Sequence, residues 1–292
     1  MGSLAWTSAF WLLEIAILPR LAERHSMLEN HSDSRVLALS PGFGDVLSAV
    51  GELGQLFLVV RNEGCLLGGL TEELSYSQIG RRTMVWAKDF NLNLSSRRCP
   101  AVLAYSESGV EGEIAGIEFF DHRGRGCLKI CRTSDVYAED WDDLVSSLTR
   151  GVVNREALGS LRKTNHLNSG PCCESCRQQR AQWLDTRPPV ENTREILCDF
   201  IQQAIHENRR LDIQLPCGLL RAQASLSPMA LNWLGKWAFV SSENSGCHLR
   251  VAEGSEVTVS EKAAGIYTMN LFDDWGRFAA RVTSRPNTNT YL

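Results

Sequence analysis

The apolar positions of this chain change period along its length. Over 8–28 they recur at Phe10, Leu13, Ile17 and Leu21, the spacing of an amphipathic helix, and 44–52 reads as a second short helix. The spacing then breaks into short runs rich in Val, Ile, Leu and aromatics, which predict strands over 55–61, 64–68, 83–88, 91–94, 101–106, 114–121 and 126–131. Gly, Ser, Arg-Gly or Asn turns separate them, as in an antiparallel meander, and His122-Arg-Gly-Arg-Gly126 supplies a hairpin turn. Helical spacing returns over 137–150, with Trp141, Leu144, Val145 and Leu148 on one face. After a polar stretch over 151–190, the pattern predicts a long helix over 193–208, a shorter one over 229–236, and short strands over 237–283. The class is α+β.

The pattern also repeats. Phe57-Leu-Val-Val-Arg-Asn-Glu-Gly-Cys65 returns as Phe239-Val-Ser-Ser-Glu-Asn-Ser-Gly-Cys247, with Phe, Asn, Gly and Cys in register at a shift of 182 positions. Further on, Phe90-Asn91-Leu92 aligns with Met269-Asn270-Leu271. The first copy continues into Gly116-Ile-Glu-Phe-Phe-Asp121, which the second lacks. The expected organisation is a first repeat over 1–150, a polar cysteine-containing linker over 151–190, and a second, shortened repeat over 191–292. Each repeat would form an antiparallel sheet flanked by helices, the two facing across a cleft suited to a ligand.

Composition narrows the function. With 292 residues, 43% apolar and 22% charged, the chain suits two ordinary globular domains. A formal charge of −4 argues against nucleic acid as a partner, because neutralising phosphates needs a basic face; local basic pockets are still compatible with it. The apolar start has no early Lys or Arg, is interrupted by Glu14 and is followed by Arg20, so it reads as a packed helix rather than a signal or a membrane span. The ten cysteines are then reduced thiols in the cytoplasm.

Several clusters could carry chemistry. Cys172-Cys173-x-x-Cys176, with His166 upstream, offers part of a zinc site that Cys198 or Cys217 would have to complete; a thiol-rich exposed linker is the competing reading. Cys127 and Cys131 face the same way on one strand and read as buried thiols. Asp140, Asp142 and Asp143 answer the dipole of a helix N-terminus. The chain has no Gly-x-Ser-x-Gly, P-loop or dinucleotide fingerprint. His206-Glu-Asn-Arg209-Arg210 ends the long helix, where cations either answer the dipole or hold a carboxylated ligand.

Three blocks together resemble a known family. Leu53-Gly54 with Val60-Arg61-Asn62-Glu63, Asp89-Phe90-Asn91-Leu92-Asn93-Leu94, and Ile117-Glu-Phe119-Phe120-Asp121 leading to Leu128-Lys129-Ile130 are similar to bacterial haem-utilisation proteins of the haemin-degrading HemS/ChuX type. The likeness covers 35–150 and returns over 195–286. It implies a cytoplasmic protein that binds, transfers or degrades haem in a cleft between tandem repeats, with a haem importer or a reductant as further partners. Haem needs an axial ligand, an apolar wall and cations for its propionates. By the resemblance Arg210 and Arg285 fall at propionate contacts and Phe239 at the ring. The family's axial histidine falls on or near Leu197, beside Cys198; a second histidine falls on Leu67, and the arginine of the Asp-Leu-Arg-Leu strand on Asn93. Cys198, His206 and His248 are the remaining candidate iron ligands. The alternative is a degenerate non-haem member acting as a binding protein, with zinc at Cys172–Cys176.

Overall fold

The computed structural model of the protein describes residues 35–39, 43–79, 82–87, 90–95, 101–109, 112–121, 126–152, 192–217, 220–274 and 276–287. The expected helix over 8–28, the 122–125 turn and the His166 and Cys172–Cys176 cluster lie outside the described residues. The first half contains β1 (Arg35–Leu39), α1 (Phe43–Gly51), β2 (Leu56–Arg61), β3 (Cys65–Thr71), β4 (Ser75–Ile79), β5 (Arg82–Ala87), β6 (Phe90–Ser95), β7 (Ala101–Gly109), β8 (Gly112–Phe120), β9 (Gly126–Arg132), α2 (Ala138–Leu148) and β10 (Thr149–Val152). The second contains α3 (Thr193–His206), β11 (Arg210–Cys217), β12 (Leu220–Leu226), β13 (Ala230–Leu234), β14 (Trp237–Ser241), β15 (Ser245–Arg250), β16 (Glu256–Ala263), β17 (Ile266–Phe272) and β18 (Phe278–Arg285).

The class is α+β with two antiparallel sheets, but the repeats do not own one sheet each. A ten-stranded sheet runs β10-β1-β7-β8-β9-β2-β3-β15-β14-β13, and an eight-stranded sheet runs β16-β17-β18-β11-β12-β6-β5-β4. Both combine strands of the two halves. The physical reason is edge satisfaction: β3 and β6 would otherwise end their sheets with open backbone groups, and β15 and β12 of the other half cover them.

The β3–β15 junction is a local two-fold axis. Cys65 pairs with Leu249, Leu66 with His248 and Leu67 with Cys247. Because 65 and 247, 66 and 248, and 67 and 249 are equivalent in the duplication, the axis passes between Leu66 and His248. Beside it the Cys65 and Cys247 thiols lie 3.7 Å apart, both fully buried. Burial pushes the Cys65 thiol well above its ordinary range, and its contact with Cys247 pushes it further. Both cysteines are therefore expected to resist iodoacetamide in the native protein and to label on unfolding. Mass spectrometry after timed alkylation checks this, and rapid native labelling of either one would contradict it.

Strand alternation positions everything else. Leu211, Ile213 and Leu215 of β11 enter a core shared by both sheets and the three described helices, while Arg210, Asp212 and Gln214 face outward. The chain reaches β11 through a tight helix stop. Asn208 takes a positive φ of 49°, its N–H meets Ile205 O at 3.1 Å, and Arg209 N–H meets Ala204 O at 2.8 Å, a Schellman arrangement. The helix expected over 229–236 is instead the strand β13, paired with β14. Its apolar run is too short to fix a period, and Gly235, at a φ of 58°, closes a two-residue hairpin after Leu234. Among the described residues no helix is long and apolar enough to cross a membrane.

Candidate functional site: an arginine pair on the eight-stranded sheet

β11 and β18 pair so that Arg210 stands opposite Arg285. Registered partners share a face, so both guanidinium groups leave the sheet on its outer side. Asp212, two residues along β11, joins them there. Arg285 Nε lies 2.9 Å from Asp212 Oδ2 and Arg210 Nε lies 3.8 Å from Asp212 Oδ1. Ser225, its register neighbour on β12, donates its hydroxyl to Asp212 Oδ1 at 2.6 Å. The arginine side chains are 51% and 55% exposed and the Asp212 side chain only 15%, so the carboxylate is held down while the cations remain open to solvent.

A polar row crosses the same face two residues further on. Ser75, Trp86, Asn91, Gln223, Gln214, Arg281, Asn270 and Thr258 are successive register partners from one sheet edge to the other. Arg281 Nε donates to Asn270 Oδ1 at 2.9 Å, and Asn270 Nδ2 donates to Thr258 Oγ1 at 3.2 Å. Partial burial lowers the Arg281 pKa from its ordinary value. Asn93 lies on this face too, opposite Arg221. The face is thus cationic and rich in neutral donors and acceptors, which suits an acid-bearing ligand. Among the described residues no group of three His, Cys, Asp or Glu could hold a metal ion.

The other expected site residues are distributed differently. Phe239 sits on β14 of the ten-stranded sheet, 5% exposed, with its ring 4.4 Å from that of His248. Its neighbours Ala238 and Val240 enter the core, so Phe239 occupies the opposite face of a different sheet from Arg210 and Arg285. His248 is as deeply buried, and its Nδ1 has no hydrogen-bond partner. Leu67 and Leu197 are core residues with no exposure. Cys198 is half-buried on α3, about 12 Å along the helix axis from His206, which is exposed. Of the arginines that end α3, Arg209 turns inward. Its Nε donates to Ser284 Oγ at 2.7 Å, a terminal nitrogen reaches Gly265 O, another pairs with Glu207 at 3.0 Å, and the guanidinium lies over Tyr267. Arg209 therefore pins the helix end, while Arg210 stays half-exposed beside Asp212.

Residues 22–148 match the model of the haemin-degrading HemS/ChuX domain. That match takes in 127 of the 292 residues, so it is the first half of the chain that resembles this domain. The chain's fold is similar to that of the haem-degrading enzyme ChuS of Escherichia coli O157:H7, with a TM-score of 0.66 and 16% identity over 87% of this chain and 82% of that one. It is equally similar to holo-PhuS, a haem-binding protein from Pseudomonas aeruginosa, with a TM-score of 0.65 and 17% identity over 91% and 84%. No curated protein matches the chain significantly in sequence.

Within the matched stretch the Arg61-Asn62-Glu63 block joins the halves. Arg61 bonds Glu118 and Gly126 O within the first half. Asn62 Nδ2 donates to Pro216 O and Ala279 O of the second, both at 2.8 Å, while Asn62 Oδ1 accepts the Gly64 and Cys65 N–H groups. Glu63 lies 3.6 Å from Arg277, which Asp273 holds at 2.7 Å. Asp212, Ser225 and Arg281 were not anticipated from sequence. The alternation Arg210-Leu-Asp-Ile-Gln-Leu215 is the signal that exposes Asp212, because it marks a strand with one polar face.

Proposed function

We propose that this protein binds haem on the outer face of the eight-stranded sheet and serves its transfer or breakdown in intracellular haem utilisation. The observation that supports this is the register pairing of Arg210 with Arg285, which sets two exposed cations side by side for a propionate edge. The residues present fit haem's acid edge. They fit its iron less well, since Leu197 is sealed in the core and offers no donor. Cys198 and His206 remain as α3 donors for the iron. Haem, when bound, would supply the iron and oxygen chemistry; Arg210 and Arg285 would bind its acid groups. A cytoplasmic setting, an importer that delivers haem and a reductant that accompanies breakdown belong to the same reading.

Titration of the purified protein with haemin, followed by the Soret band, tests it. Saturable binding is expected, weakened about tenfold by Arg210→Ala or Arg285→Ala and more in the double variant, because solvent screens half-exposed charge-assisted bonds. Cys198→Ser should alter the spectrum only if the thiolate holds iron. No Soret change, or equal affinity in the double variant, would remove the proposal.

A further inference from the structure

The arginine pair already holds a carboxylate of its own. Asp212 contacts both guanidinium groups through their Nε atoms, closely on Arg285 and loosely on Arg210, and Ser225 fixes its Oδ1. Structural ion pairs on exposed sheet faces contribute little stability, so two arginines ordered around one recessed acid need another reason. An incoming acid group would reach the same cations and meet Asp212 at close range. The like charge reduces the net charge of the trio from two to one and opposes every anion that binds there. Arg210, at 3.8 Å, is the cation less engaged and the one an incoming acid takes first.

We propose that Asp212 is a specificity-determining residue: an internal counter-carboxylate that competes with the ligand's acid groups for Arg210 and Arg285, holding binding loose enough for the ligand to be passed on. The inference rests on the haem reading above. It differs from a positioning role in sign, since a residue that merely oriented the arginines would weaken binding when neutralised, whereas a competitor strengthens it. Asp212→Asn is the informative change because it removes the charge while keeping an oxygen for the Ser225 hydroxyl.

The test compares the wild type with Asp212→Asn, using haemin and haemin dimethyl ester as probes and circular dichroism to verify folding. The expected result is haemin affinity about five- to tenfold higher in Asp212→Asn, with slower release to a haem-scavenging protein by the same factor, as removal of one nearby like charge at a half-exposed site allows. The ester, lacking acid groups, should bind both proteins equally and more weakly than haemin binds the wild type. The gain should vanish when Arg210→Ala and Arg285→Ala are added. If haemin binds the wild type and depends on the arginines, but folded Asp212→Asn binds it no more tightly, this inference falls and the haem reading stands. If neither protein binds haemin, both fall. Binding by Asp212→Asn alone would support the competitor in its strongest form.

Discussion

Replacing Asn62 by alanine is expected to lower the unfolding free energy by about 3 kcal/mol, from several lost hydrogen bonds worth about 1 kcal/mol each and the desolvated groups they leave. Its amide donates to Pro216 O and Ala279 O across the junction and accepts two backbone N–H groups in its own turn. Two roles are thus combined, a local turn and a clamp between halves, and Asn62→Asp separates them. Aspartate keeps the acceptor for Gly64 and Cys65 but sets a carboxylate against two carbonyl oxygens, which repel it. If the clamp dominates, Asn62→Asp will be as unstable as Asn62→Ala; a near-native aspartate variant would mean the turn alone matters. Denaturant midpoints at constant m-value read the difference.

That clamp also shows why the sequence could be read only so far. Local elements were legible where the period was sustained: the amphipathic stretch over 137–150 is α2 at Ala138–Leu148, and the helix over 193–208 is α3 at Thr193–His206. Strands β2 and β3 follow directly from their apolar runs and the Asn-Glu-Gly turn. The partition of strands between sheets was not legible, because it depends on which edge each half leaves open, a property of the assembled sheets and not of any local run. The same limit applies to the site. The resemblance brought Arg210 and Arg285 into view as separate positions, yet their neighbourhood, and with it Asp212, exists only once β11 and β18 are in register. Phe239 was carried toward that site by likeness alone, while strand parity places it on the other sheet against His248.

His248 is expected to make the protein acid-sensitive. Burial holds its pKa down to about 4, from an ordinary 6.5, because no charge or hydrogen bond offsets desolvation of the imidazolium. The unfolded chain therefore binds this proton more readily than the folded one wherever the pH lies between those values. The stabilising effect is fully present above about pH 6.5 and is lost as the pH falls toward 4. At one pKa unit per 1.36 kcal/mol, the decline from pH 7.5 to 5 is about 2 kcal/mol, rising to about 3 kcal/mol at pH 4. A surface histidine would show no such loss. His248→Phe keeps a ring against Phe239 and removes the titrating group, so its stability should fall less over the same interval. Unfolding curves of both proteins at pH 7.5 and 5 decide the matter, and parallel losses in the two would assign the acid sensitivity elsewhere. Because His248 faces Leu66 on the local two-fold axis, its protonation would strike the β3–β15 junction itself, and acid should part the ten-stranded sheet between the halves before it disturbs β11 and β18.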